Sequence, residues 1–193
     1  FNVVDSRNLV ANFSLNTYTV AVSANPTNGG TVTGGNTYNY GQSCTVNATA
    51  ATGYTFTNWT ENGSVVSTDA NYTFTVNANR NLVANFTLNT YTVAVSANPT
   101  NGGTVTGGNT YNYGQSCTVN ATAATGYTFT NWTENGSVVS TDANYTFTVN
   151  ANRNLVANFT INTYTVTVSA NPTNGGTVTS RSEERRVGKE CRS

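Results

Sequence analysis

The chain has no histidine and no methionine, and its single lysine, Lys189, lies close to the C-terminus. Charged residues make up only 8% of its 193 residues. Each of these gaps excludes a class of chemistry. Without histidine, nitrogen–sulfur metal centres lose their commonest ligand. General acid–base and nucleophile–base catalysis lose their usual proton carrier, and no clustered carboxylate pair stands in for it. No enzyme, metal or cofactor is expected. One arginine per repeat cannot neutralise a phosphate backbone, which argues against nucleic acid as a partner. No apolar run reaches the roughly 18 residues that a membrane-spanning helix needs, so no membrane insertion by this segment is expected. Leucine occurs five times, and no helical stripe can be drawn.

The formal net charge of zero hides an uneven distribution. Arg181, Arg185, Arg186, Lys189 and Arg192, with Glu183, Glu184 and Glu190, all fall in the final stretch. Residues 1–180 carry three basic and five acidic groups, a balance of −2. The chain begins at Phe1 without Met or a signal peptide, and reads as an internal fragment.

What is present is threonine and asparagine, together over a third of the residues, with Val, Tyr, Phe and Gly between them. Such a composition favours strands and turns. The phrase R-N-L-V-A-N-F opens at Arg7, Arg80 and Arg153, a repeat of 73 residues. Residues 7–79 and 80–152 differ only at Ser14 against Thr87, and the third copy changes Leu88 to Ile161 and Ala94 to Thr167.

Within one copy, Tyr18, Val20, Val22 and Ala24 alternate with polar neighbours, and Cys44, Val46, Ala48 and Ala50 mark a second inward face. Turns fall at Pro26–Gly30 and Gly34-Gly35-Asn36. Asn62-Gly63 predicts a hairpin between Tyr54–Glu61 and Ser64–Ser67. Roughly seven short strands per copy predict an all-β fold, as tandem antiparallel modules, each a small sandwich or barrel-like sheet, arranged as a rod. The junction Phe86–Tyr91 lacks Gly, Pro and Ser, so it is expected to be short and semi-rigid. A unit of this size has a radius of gyration of about 11 Å and a width of roughly 30 Å.

This divides the chain into the end of a preceding repeat (1–13), complete repeats (14–86 and 87–159), the start of another (160–179), and a tail (180–193). The tail breaks the pattern, since Ser180-Arg181-Ser182 stands where Gly-Gly-Asn is due. It resembles the translation of a short-read sequencing adapter and is set aside as non-native, Cys191 with it.

The ordered phrases Y-T-V-A-V-S-A-N-P-T-N-G-G-T-V (18–32), Y-N-Y-G-Q-S-C-T-V-N-A (38–48) and G-Y-T-F-T-N-W (53–59) resemble the divergent internalin-type B-repeat of bacterial cell-surface proteins. The resemblance covers essentially all of residues 1–179. It implies a small β-grasp-like or related all-β module found in tandem in secreted or wall-attached proteins, serving as a spacer and in some members as an adhesive surface, with no catalytic residues. Cys44 and Cys117 depart from the aliphatic residue more usual there.

Cys44 alternates with Val46 and Ala48, which places it inward as a small hydrophobe, and a thioester with Gln42 is the reactive alternative. One cysteine per repeat gives no disulfide within a copy. Glu61 and Asp69 are too few for a calcium site of about 6–8 oxygens. Tyr38, Tyr40 and Trp59, with Tyr111, Tyr113 and Trp132, are the candidate contact residues for a glycan or protein. The opposing expectation is that Trp and Tyr fill a core short of Leu and Ile. Three readings follow: a non-catalytic stalk of an extracellular or wall-attached bacterial protein, an adhesin binding host protein or glycan, and an accessory module of a secreted enzyme. Neighbouring repeats are the expected partners, covering strand edges at the junctions.

Overall fold

The structure, a computed structural model, describes residues 6–171 and 175–177. The tail set aside at 180–193 lies outside them, as do residues 1–5. The described residues contain strands and turns and no helix. Two compact units divide at Asn89.

The first unit has eight strands, one more than the sequence pattern suggests. They are β1 (Thr17–Asn25), β2 (Gly30–Thr33), β3 (Asn36–Asn39), β4 (Ser43–Ala50), β5 (Tyr54–Glu61), β6 (Ser64–Ser67), β7 (Asn71–Thr75) and β8 (Arg80–Leu88). β3, β1, β8, β5 and β6 form a five-stranded sheet in that order, and β2, β4 and β7 form a three-stranded sheet. The second unit repeats this with β9 (Thr90–Asn98), β10 (Gly103–Thr106), β11 (Asn109–Asn112), β12 (Ser116–Ala123), β13 (Tyr127–Glu134), β14 (Ser137–Ser140), β15 (Asn144–Thr148) and β16 (Arg153–Ile161). Its sheets run β11-β9-β16-β13-β14 and β10-β12-β15.

Of the sandwich, barrel-like and β-grasp-like forms expected, the unit is built as a sandwich of two sheets around one core. Alternation drives it: Cys44, Val46 and Ala48 are buried while Ser43, Thr45 and Thr49 face out. They meet Val20, Trp59, Leu82, Ala84 and Phe86 from the larger sheet, with Val76 closing the same cluster. Gly34 sends the chain from one sheet to the other. Its φ is +95°, and a Cβ there would stand 2.8 Å from the Cα of Val46, so only glycine fits.

Strand β1 lies parallel to β8, from Val20 opposite Arg80 to Asn25 opposite Asn85; every other pairing in the unit is antiparallel. The Asn62-Gly63 hairpin forms as the sequence predicts, with φ of 51° and 80° at the two turn residues. In β5 the ladder to β8 slips between Phe56 and Asn58, a bulge that lets Phe56 and Trp59 share the inner face despite their odd spacing.

Residues 7–13 match 80–86, yet Phe13 is 94% exposed and outside any strand, whereas Phe86 in β8 is 6% exposed.

Candidate functional site

Six aromatic residues were the candidate contact surface, and the structure separates them. Trp59 and Trp132 are 0% exposed. Each indole packs near Phe56 or Phe129, with ring centroids 6.1 and 6.0 Å apart. Each indole N–H donates to a backbone carbonyl, Ala70 or Ala143, at 3.2 Å. A ring enclosed on both faces has none to offer a sugar, so the two tryptophans leave the candidate surface and belong to the core.

Tyr38 and Tyr111 are half-buried against the cores. The Tyr38 hydroxyl donates to the Gly34 carbonyl at 2.8 Å, and Tyr111 donates equally to Gly107. The neighbouring Cys44 thiol, and then burial, push the Tyr38 phenol above its ordinary value, as Cys117 and burial do for Tyr111. What remains accessible is Tyr40, 55% exposed, with its ring 6.3 Å from that of Tyr18. Tyr113 and Tyr91 form the matching pair at 6.4 Å, with Tyr113 half-buried.

Cys44 sits where the alternation placed it, buried, with its thiol 3.5 Å from the Gly34 carbonyl. Gln42 is not beside it. The Gln42 side chain is exposed and accepts from the Asn39 N–H at 2.7 Å, so the thioester arrangement is absent.

The sequence reading missed the most organised polar cluster of each unit. Arg80 Nε and Nη2 both donate to Glu61 Oε2, at 3.0 and 2.7 Å, and Nη1 donates to the Tyr72 hydroxyl at 3.3 Å. The guanidinium lies 4.3 Å from the centre of the Phe74 ring. Arg80 and Glu61 come from the larger sheet, Tyr72 and Phe74 from the smaller, so the cluster joins the two. The Arg80 guanidinium holds the Glu61 carboxyl below its ordinary value, against the opposing effect of burial. Arg153, Glu134, Tyr145 and Phe147 repeat the arrangement. The available signal was arithmetic: a single arginine per copy, with few acids to meet it. Three of its five N–H groups bond within the fold and its face packs on Phe74, so the cluster fastens the two sheets together.

Among the described residues no group of three or more His, Cys, Asp or Glu gathers as metal ligands. A shallow depression of about 100 Å³ lies over Ala94–Ser96 and Asn154–Val156. Ligand pockets usually enclose roughly 300 Å³ or more, so this one is too small to bury a cofactor.

Residues 18–90 and 91–163 each match the divergent InlB B-repeat domain family. No curated protein and no solved structure matches the chain.

Proposed function

The chain belongs to the divergent InlB B-repeat family, and from that premise we propose that its repeats are a non-catalytic stalk in a bacterial surface or secreted protein. One observation carries the reading. The chain enters a unit at Thr17 and leaves it at Leu88, at opposite ends of a parallel strand pair. The register sets these ends about eleven residue steps apart, or about 36 Å at ~3.3 Å per step. A hairpin of first and last strands would return the chain to its starting point; this one advances it by the length of the sheet. A single residue, Asn89, then separates β8 from β9. Its N–H donates to the Gly53 carbonyl at 2.8 Å and its side chain accepts from the Thr55 hydroxyl at 2.7 Å.

Small-angle scattering on chains of one, two and four copies tests the reading. A spacer lengthens with every copy added, by at most the roughly 36 Å that one unit spans. A maximum dimension that stays nearly constant as copies are added would sink it.

The adhesin reading keeps one supporting observation, the Tyr18–Tyr40 ring pair and its Tyr91–Tyr113 counterpart. Binding of the chain to a glycan or matrix-protein array, lost in a Tyr40→Ala, Tyr113→Ala variant, would favour it over a passive stalk.

A further inference from the structure

We propose that the parallel strand pairs β1–β8 and β9–β16 are mechanical clamps, so that the repeats hold tension between their ends as well as distance. The inference rests on the stalk reading and adds a load to it. Pulling on a tandem array draws the Thr17 end of β1 one way and the Leu88 end of β8 the other. These strands are direct neighbours, paired over six residues from Val20–Arg80 to Asn25–Asn85. Because they are parallel, that pull slides one strand along the other. The ladder bonds carry the load together and must fail together. Had the two strands been antiparallel, the same pull would have opened them from one end, a bond at a time.

The surroundings reinforce this geometry. Neither strand lies at an edge: β3 flanks β1 and β5 flanks β8. At the lower end of the ladder the Thr19 N–H donates to Asn79 Oδ1 at 2.8 Å, and at the upper end Asn25 Nδ2 donates to Asn85 Oδ1 at 3.1 Å. Arg80, the first residue of β8, is fixed to Glu61 on β5. In the second unit the ladder runs from Val93–Arg153 to Asn98–Asn158, with Asn152 and Asn158 in the same supporting positions. Load passes from Leu88 to Thr90 through one residue, so no slack chain dissipates it before it reaches the next clamp.

Single-molecule force spectroscopy tests the clamp without altering it. The two-repeat chain is pulled by its ends, and in a second preparation by handles at Asn16 and Ala78. Both of these residues are exposed, and they stand beside the same end of the β1–β8 pair. The second geometry peels the strands that the first shears. Matched thermal unfolding of both preparations shows that the handles leave the fold intact. The expected result is an unfolding force several-fold higher end to end, with each copy releasing about 200 Å of chain. Equal forces, or a lower force end to end, would overturn the clamp. They would leave the stalk reading standing, because the length gained per copy is measured separately by scattering.

Discussion

Gly30 and Phe86 stand so close that a Cβ on Gly30 would lie 2.5 Å from Phe86 Cζ and 2.6 Å from Cε1. The edge strand of the small sheet thereby closes directly over the last core ring of the large one. Gly103 and Phe159 reproduce the distances.

The same Cβ would lie 2.4 Å from the Thr49 carbonyl oxygen, so a methyl group at position 30 must displace both that ring and the backbone of the paired strand. Phe86 is 6% exposed and meets Phe56 edge-on at 5.8 Å, which leaves it little freedom to move. Gly30→Ala with Gly103→Ala should cost about 1–3 kcal/mol per unit, as overpacking of a filled core does. The midpoint of a urea transition checks this. Gly63 supplies the comparison. Nothing lies within 4 Å of a Cβ there, so Gly63→Ala should cost only the strain of its φ of +80°, roughly 1–2 kcal/mol.

The Arg80–Glu61 pair makes stability depend on acid. The folded Glu61 carboxyl lies below its ordinary value of 4.5, so the folded state binds this proton less readily than the unfolded chain. The contribution is therefore complete above about pH 5 and lost as pH falls through the folded value, with no loss on the alkaline side up to the range where arginine titrates. Glu61→Gln with Glu134→Gln should lower stability at pH 7 by about 1–2 kcal/mol per unit, reduced by partial solvent screening. It should also flatten the decline between pH 5 and pH 3. Urea titrations at several pH values measure both effects, and an unchanged acid slope in the variant would mean other groups set it.

Cys44 and Cys117 should behave as core atoms. Each is 1% exposed, and each thiol is directed at a backbone carbonyl. A thiol reagent should leave both unmodified in native buffer and label both in denaturant, with peptide mapping to assign the sites. Labelling in the native state at the rate of an exposed thiol would contradict the burial. Cys44→Ala should cost about 1 kcal/mol through the small cavity it leaves.

What could be read from the sequence was what is local. The alternation Cys44, Val46, Ala48 and the Asn62-Gly63 turn each act within a few residues, and both appear where expected. The parallel pairing of β1 with β8 joins residues 60 apart, and nothing in the pattern of either strand names its partner. The Arg80–Glu61 pair rests on the antiparallel pairing of β5 with β8, 19 residues apart, which no local pattern names either. Gly34-Gly35 reads as a simple return turn, and nothing local says that β2 and β3, four residues each, belong to different sheets. The clearest case is R-N-L-V-A-N-F itself. At 80–86 it is a central strand between β1 and β5, and at 7–13 the identical residues lie outside any strand. Propensity allows the strand; its neighbours impose it.

The bulge in β5 offers a sharper test of how pattern becomes structure. Phe56 pairs with Phe86 and Asn58 with Asn85, so Thr57 is the extra residue on its strand. Thr57 is exposed, and its hydroxyl meets that of Thr87 at 2.9 Å. Removing it leaves Phe56 inward, Asn58 outward and Trp59 inward, a regular strand in the same register. Removing Thr55 instead brings Tyr54 next to Phe56, and two aromatic residues that now share the inner face would point to opposite sides. Deleting Thr57 and Thr130 together should therefore preserve the fold at a cost of about 1–2 kcal/mol per unit, the scale of a lost hydrogen bond and altered twist. Deleting Thr55 and Thr128 should cost several kcal/mol, enough to unfold a 73-residue unit of ordinary stability. Tryptophan fluorescence separates the outcomes. Trp59 and Trp132 are fully enclosed, so emission should stay at short wavelength in the first variant and shift to the solvent-exposed position in the second. If both deletions exposed the tryptophans equally, the bulge would be required for its curvature, and its extra residue would be more than a spacer in the register.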